Sequence, residues 1–63
     1  MAWISVDKNG TEKIFNKEPK RSYNNGNEQW VQVKNTHRIV IPKGSVERLL
    51  GRELRWTDAP VEI

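Results

Sequence analysis

The sequence predicts an α+β domain: a small bent antiparallel sheet or open barrel of five to six short strands with one short helix at about 45–50. Residues 2–7 alternate apolar and polar side chains, which is the two-residue period of a strand. Residues 38–41 are mostly β-branched and stop at Pro42, which has no amide hydrogen for a sheet ladder. Apolar residues then recur at helical spacing until Gly51, a residue type that commonly ends helices.

The chain has 63 residues, which is enough for a single domain spanning 1–63. It contains no cysteine and one histidine, so a disulfide framework, a cysteine-ligated zinc site and a multi-histidine metal site are excluded. No cofactor is expected. A domain of this size buries only about 60 % of its unfolded surface. We therefore expect an efficient core or self-association, and a homodimer stays open.

The charge balance is mildly basic, with 11 lysines and arginines against 8 aspartates and glutamates and a net charge of +3. This balance permits a nucleic-acid or other anionic partner without requiring one, because mixed surface charge also serves solubility. No apolar run approaches the ~18 residues of a membrane span, and the first residues lack the pattern of a signal peptide. We expect a cytoplasmic protein without a membrane partner.

The N-terminal half is predicted to begin with a hairpin. The strand at 2–7 leads into an Asn-Gly pair at 9–10, which tolerates positive φ, and 12–15 is the returning strand. Residues 17–28 are then predicted to form a loop of about twelve residues, because they contain a proline and the turn-forming sequence at 24–27. A loop this long in a compact domain is functional or mobile.

The C-terminal half is predicted to continue with a third strand at 29–33, a turn at 34–36 and a fourth strand at 37–41. Residues 39–41 are apolar on both faces of that strand. Such a pattern is typical of a strand buried between neighbours, so we predict a central position.

The helix is predicted to begin at Ser45, whose hydroxyl would cap the free amides of the first turn. Val46, Leu49 and Leu50 form one stripe that should face the sheet. Two further strands are expected, at 53–57 and at 61–63. The predicted core consists of Ile4, Val6, Ile14, Val31, Val33, Ile39, Ile41, Val46, Leu49, Leu50, Leu54 and Trp56.

The residues give little support to catalysis. His37 lies at a junction between turn and strand, no cysteine nucleophile exists, and the three serines have simpler places on a strand face, in a loop and at the helix cap. Carboxylates are scattered singly rather than paired for acid–base work. The glycines suit turns and caps, and no phosphate-binding loop occurs. We therefore predict a protein that is not an enzyme.

Basic side chains and one aromatic residue are candidates for contact with a nucleic acid or another partner. Basic groups bind phosphates and exposed rings stack on bases. The alternative is a solvated face, because several of these charges alternate with glutamates. The candidates are Lys17, Lys20, Arg21, Tyr23, Lys34, Arg38, Arg48, Arg52 and Arg55.

A family resemblance adds to the nucleic-acid interpretation. Residues 33–42 contain a valine, a polar turn, an arginine, a β-branched run and Ile-Pro, and a helix ending in Leu-Gly, an aspartate and Val-Glu-Ile follow. Over residues 31–63 this order resembles AbrB/MazE-type swapped-hairpin DNA-binding proteins. The resemblance implies an intertwined homodimer that lays basic hairpins in the DNA groove, with Arg38 and Arg48 as contacts. His37 stands where that family has its turn glycine.

The two ends of the chain also look like small proteins of bacterial and phage genomes, which implies an accessory protein without a defined activity. Two functions therefore stay open. One is a small DNA-binding regulator, which rests on the basic balance and the partial hairpin match. The other is a protein-interaction adaptor or inhibitor that uses the loop at 17–28 and an exposed strand edge, because unpaired edges accept added strands.

Overall fold

The structure, a computed structural model, describes residues 2–24 and 27–63. In that part of the chain, six short strands form two antiparallel sheets and one short helix packs on the larger sheet. The predicted α+β class is confirmed, in the form of an open structure rather than a closed barrel. The elements are β1 (Trp3–Val6), β2 (Glu12–Phe15), β3 (Lys20–Asn24), β4 (Asn27–Val31), β5 (Arg38–Ile41), α1 (Ser45–Leu50) and β6 (Val61–Glu62).

The larger sheet has the strand order β5-β2-β1-β6, and all neighbours are antiparallel. Its β1–β2 hairpin is confirmed. The amide of Gly10 donates to the carbonyl of Asp7 at 2.9 Å, and Gly10 has the positive φ, 91°, for which the Asn-Gly pair was predicted. The predicted last strand is also present, as β6 beside β1.

The smaller sheet is a hairpin of β3 and β4, so the predicted loop at 17–28 is wrong over most of its length. The error has a physical origin. Lys20 to Asn24 is polar on both faces and carries no apolar alternation, yet its backbone pairs in register with β4, for example Arg21 with Trp30. Of the predicted turn at 24–27, Asn25 and Gly26 lie outside the described residues.

The order of strands differs from the prediction in two further respects. β5 pairs with β2 at the edge of the sheet and is not central, and β4, the predicted partner of β5, pairs with β3 instead. Residues 53–57, predicted as a strand, contain none. A strand with apolar residues on both faces can lie in the middle of a sheet or at an exposed edge, and the pattern alone does not separate the two.

The register divides the larger sheet into two faces. One, the helix face, carries Ile4, Ile14 and Ile39 in a single cross-strand row. Val46 of α1 and Leu54 pack on this face, and the resulting core cluster is completed at its margin by Ile14, Ile41, Leu50 and Val61. Together these contacts fix the helix, which is too short to be stable alone.

The opposite face, the hairpin face, is joined to β4 by polar groups. The amide of Trp30 donates to the carboxylate of Asp7 at 2.7 Å. The ammonium of Lys13 lies 2.8 Å from the same carboxylate and also donates to the side chain of Gln29 and to the carbonyl of Trp30. Phe15, on this face, is fully buried. The two sheets are therefore held together around a buried, hydrogen-bonded ion pair.

The start of α1 differs from the prediction, because Ser45 is not its cap. Gly44 occupies the cap position, and the hydroxyl of Ser45 donates backwards to the carbonyl of Pro42 at 2.6 Å. The free amides of the helix are satisfied from the sheet instead. Both carboxylate oxygens of Glu12 accept, one from the amide of Gly44 and one from that of Val46, each at 2.8 Å. Strand β2 thus anchors the helix directly.

The end of α1 is as predicted. Gly51 has a φ of 73° and its amide donates to the carbonyl of Glu47 at 2.8 Å. Across residues 2–24 and 27–63, no helix has both the length and the apolar character that crossing a membrane requires.

The core is smaller than predicted. Ile39 is 65 % exposed and Leu49 is 58 % exposed, so both are wrong as core residues, while Leu50 is half-buried. Conversely, Phe15 and Trp30 are buried and do not occur among the predicted core residues. Leu49 lies outside the core because a helix of six residues presents only one narrow stripe of side chains to the sheet. Val46 and Leu50 occupy that stripe.

Candidate functional site

The outer edge of β5 offers unpaired backbone groups. The amide of Asn16 donates to the carbonyl of His37, which identifies these two as a hydrogen-bonded pair of the β2–β5 ladder. Hydrogen-bonded pairs alternate along an antiparallel ladder, so Ile39 and Ile41 direct their amides and carbonyls towards β2. The backbone groups of Arg38 and Val40 consequently point away from the sheet. Within the described residues, no loop or strand hydrogen-bonds to them.

The side chains of β5 are also exposed. Ile39, on the helix face, is 65 % exposed, and Val40, on the hairpin face, is 57 % exposed. Natural edge strands are usually protected by charges, prolines or bulges. In β5 the only charge is Arg38 at the start, and Pro42 comes after the strand has ended. The edge therefore combines free hydrogen-bonding groups with apolar side chains on both faces.

An apolar cleft of about 410 Å³ lies beside this edge. Three of its lining residues, Ala2, Asn16 and His37, lie one position beyond the ends of β1, β2 and β5, next to the paired residues Ile14 and Ile39. These residues lie on the helix face. The helix is anchored at the other end of the face by Glu12, so it leaves this end open. The full lining is Ala2, Ile14, Phe15, Asn16, His37 and Ile39.

The chain around the edge is basic. Residues 29–46 contain no aspartate or glutamate, whereas Lys34, Arg38 and Lys43 all lie in this segment and are exposed. The carboxylate nearest in sequence to β5 is that of Glu47, beyond the start of the helix. Lys34 and Arg38 make the start of β5 positive, whereas at its end the ammonium of Lys43 lies beside Gly10 and the carboxylate of Glu12 is held by Gly44 and Val46.

The nine predicted contact residues are scattered over the fold. Eight are exposed and lie on the segment after β2, on β3, in the turn before β5, on β5, on α1 and beyond it. The guanidinium of Arg55 is 3.7 Å from the carboxylate of Glu53, an exposed ion pair. Of the nine, Lys34 and Arg38 lie in the basic segment around the cleft.

Arg21, the ninth, is half-buried and already engaged. Its guanidinium carbon lies 4.6 Å from the ring centre of Trp30 and 4.8 Å from that of Trp56. The terminal nitrogen donates to the carbonyls of Trp56 and Asp58 at 2.9 and 3.1 Å. Tyr23 packs edge-on against Trp56 with ring centres 6.0 Å apart. Arg21 therefore joins the β3–β4 hairpin to the chain before β6, and its charge is satisfied inside the protein.

Sequence reasoning missed the residues that make the edge accessible. Ile39 and Val40 were assigned to a buried central strand, and the cleft residues Ala2, Phe15 and Asn16 received no role. A signal for the edge exists in the basic character of the start of β5, since Arg38 is its first residue and His37 and Lys34 precede it, and charges are typical of edge strands.

The described residues contain no group of three or more histidine, aspartate or glutamate side chains that could hold a metal ion. The carboxylate of Glu12 is used by the helix, and the buried carboxylate of Asp7 is used by Lys13 and Trp30. No protein-family model matches the chain, and neither does any curated protein or solved structure.

Proposed function

We propose that this protein is a non-enzymatic binding module that holds an extended segment of another protein by adding it as a strand to β5. The observation that carries the proposal is the outward direction of the amide and carbonyl groups of Arg38 and Val40. Strand addition uses such groups for affinity and neighbouring pockets for specificity. The apolar cleft next to Ile39 is a pocket of this kind.

The protein-interaction function is favoured over DNA binding by the distribution of charge and apolar surface. Arg21 is engaged internally, and the remaining candidate basic residues are distributed over most of the chain. The exposed apolar side chains Ile39 and Val40, by contrast, lie next to each other on β5, one on each face of an edge strand whose outer side is unpaired. Such an edge favours pairing with a further strand, whereas phosphate binding requires clustered cations.

A matched pair of proline variants tests this function. Val40→Pro removes an amide that points outwards, so the β2–β5 ladder is retained and strand addition is lost. Ile39→Pro removes an amide that points towards β2, so it should destabilise the fold itself. Peptides selected from a random display library on the natural chain should lose binding to Val40→Pro while that variant keeps its near-ultraviolet circular dichroism.

Two results would contradict the proposal. One is selection of peptides that bind Val40→Pro as tightly as the natural chain. The other is the absence of any enriched peptide together with tight, steeply salt-dependent binding of a 20-base-pair DNA duplex, which would favour the DNA-binding function instead. If Val40→Pro fails to fold, a synthetic chain with an N-methyl group on Val40 removes the same hydrogen and replaces it in the test.

A further inference from the structure

We infer that the segment recognised at β5 is acidic and alternating, with one large aliphatic side chain that enters the cleft beside Ile39. This inference rests on the proposed function and adds the chemistry of the partner. Its first basis is charge: residues 29–46 carry Lys34, Arg38 and Lys43 and no carboxylate. An added strand of about seven residues covers residues 37–43 at 3.3 Å per residue, so one of its ends lies near Lys34 and Arg38.

The second basis is the position of the cleft. An added strand places alternate side chains on the helix face, next to Ile39. From there a side chain of leucine or methionine length packs against Ile39 at the edge of the cleft, whereas Ile14 and Ala2 lie one and two strands further into the sheet, at about 4.8 Å per strand. The polar groups at its margin are those of Asn16 and His37, so the site is apolar inside and polar at the rim, as peptide pockets commonly are.

A second copy of this chain is a poorer occupant than an acidic segment. If two copies of β5 paired with each other, the cations Lys34 and Arg38 of both copies would lie along one strand pair, whereas an acidic segment would offset them. Like charges placed together across a strand pair are unfavourable. Charge complementarity therefore selects a partner of opposite sign.

Four synthetic nine-residue peptides separate these contributions. They share valines at the alternate positions and differ in flanks and centre: glutamate flanks with a central leucine, glutamate flanks with a central glycine, lysine flanks with leucine, and glutamine flanks with leucine. At 50 mM salt we expect the peptide with glutamate flanks and a central leucine to bind about tenfold more tightly than the glutamine peptide, and the lysine peptide to bind most weakly. These differences in affinity should become smaller at 1 M salt. Replacing leucine by glycine should weaken binding about tenfold or more.

Two variants of the protein assign each preference to its residues. Arg38→Glu should reduce the preference for glutamate flanks, whereas Lys20→Glu on β3 changes the net charge equally and should leave it unchanged. Ile39→Ala removes the apolar side chain at the edge of the cleft, so it should remove the advantage of the central leucine while the charge preference persists.

The results separate a failure of the inferred partner chemistry from a failure of the proposed strand addition. If no peptide binds, or if all bind Val40→Pro equally, strand addition itself is wrong. If peptides bind the natural chain, lose binding to Val40→Pro and yet show no preference for glutamate or leucine, the function stands and the partner chemistry is wrong. A dimer of the free chain in sedimentation equilibrium that is lost in Val40→Pro would overturn the inference, because a second copy would then occupy the edge.

Discussion

The carboxylate of Asp7 and the ammonium of Lys13 lie 2.8 Å apart, and each side chain is only 4 % exposed. Around them, Asp7 accepts the amide of Trp30, and Lys13 donates to Gln29 and to the carbonyl of Trp30. The hydrogen bonds to Gln29 and Trp30 join the Asp7–Lys13 pair, on the hairpin face of the larger sheet, to strand β4. Two charges buried this deeply are tolerated because each is paired and hydrogen-bonded.

Removing one member of this pair should be strongly destabilising. Lys13→Met leaves the Asp7 carboxylate buried without its counterion, at a cost of about 3–5 kcal/mol in the free energy of unfolding. The matched control is Lys8→Met at the Lys8–Glu28 ion pair, which is more exposed and should cost less than about 1 kcal/mol. Urea unfolding followed by tryptophan fluorescence measures both, and equal costs would show that the Asp7–Lys13 pair is not buried.

The hydrogen bonds between Glu12 and the start of α1 predict that a substitution in β2 lowers the stability of the fold through the helix, 32 and 34 positions away. Glu12→Ala leaves the amides of Gly44 and Val46 without acceptors, and should cost about 2–3 kcal/mol. Ser45→Ala should cost less than about 1 kcal/mol, because the Ser45 hydroxyl caps no helical amide. Thermal unfolding of the two variants checks this order. The reverse order would restore the sequence-based prediction that Ser45 is the cap.

The position of Arg21 between two tryptophans predicts that lysine cannot replace it. Arg21→Lys keeps the charge but loses the planar group that stacks on Trp30 and Trp56 and donates to two carbonyls. We expect a loss of about 1–2 kcal/mol in stability and a change in the near-ultraviolet circular dichroism of the tryptophans. Arg52→Lys, at an exposed position, serves as the control. An unchanged spectrum in Arg21→Lys would contradict the stacked geometry.

The helix orientation gives a simple comparison of two adjacent leucines. Leu50 packs at the margin of the core cluster, so Leu50→Ala should cost about 1–2 kcal/mol, less than for a fully buried site. Leu49 is 58 % exposed, and Leu49→Ala should change stability by less than about 0.5 kcal/mol. Chemical denaturation of both variants measures the difference. A larger cost at Leu49 would mean that the helix is rotated.

Local signals in the sequence were sufficient for several elements. The Asn-Gly pair with Gly10, the proline after β5 and the glycine at 51 act through backbone conformation alone, so the first hairpin, the end of β5 and the end of α1 follow from them. Helix α1 has the predicted bounds, although the hydrogen bonds at its start come from Glu12 rather than from Ser45.

Elements that depend on distant contacts did not follow from the sequence. The β3 strand is polar, and its pairing with β4 is supported by Arg21 and by the Asp7–Lys13 pair, which are contacts between residues 16 to 37 positions apart. The capping of α1 by Glu12 spans 32 and 34 positions. The outer edge of β5 was misassigned for the same reason, because whether Ile39 is buried depends on which strand lies next to β5.

Amide hydrogen exchange along β5 tests the central claim, the free outward edge, most directly. In the free chain the amides of Ile39 and Ile41 should be protected through the β2–β5 ladder, while those of Arg38 and Val40 should exchange at rates close to those of an unstructured peptide. Addition of the glutamate-flanked leucine peptide should slow exchange at Val40. Strong protection of Arg38 and Val40 in the free chain at every protein concentration would show that the edge is already covered and would contradict the account.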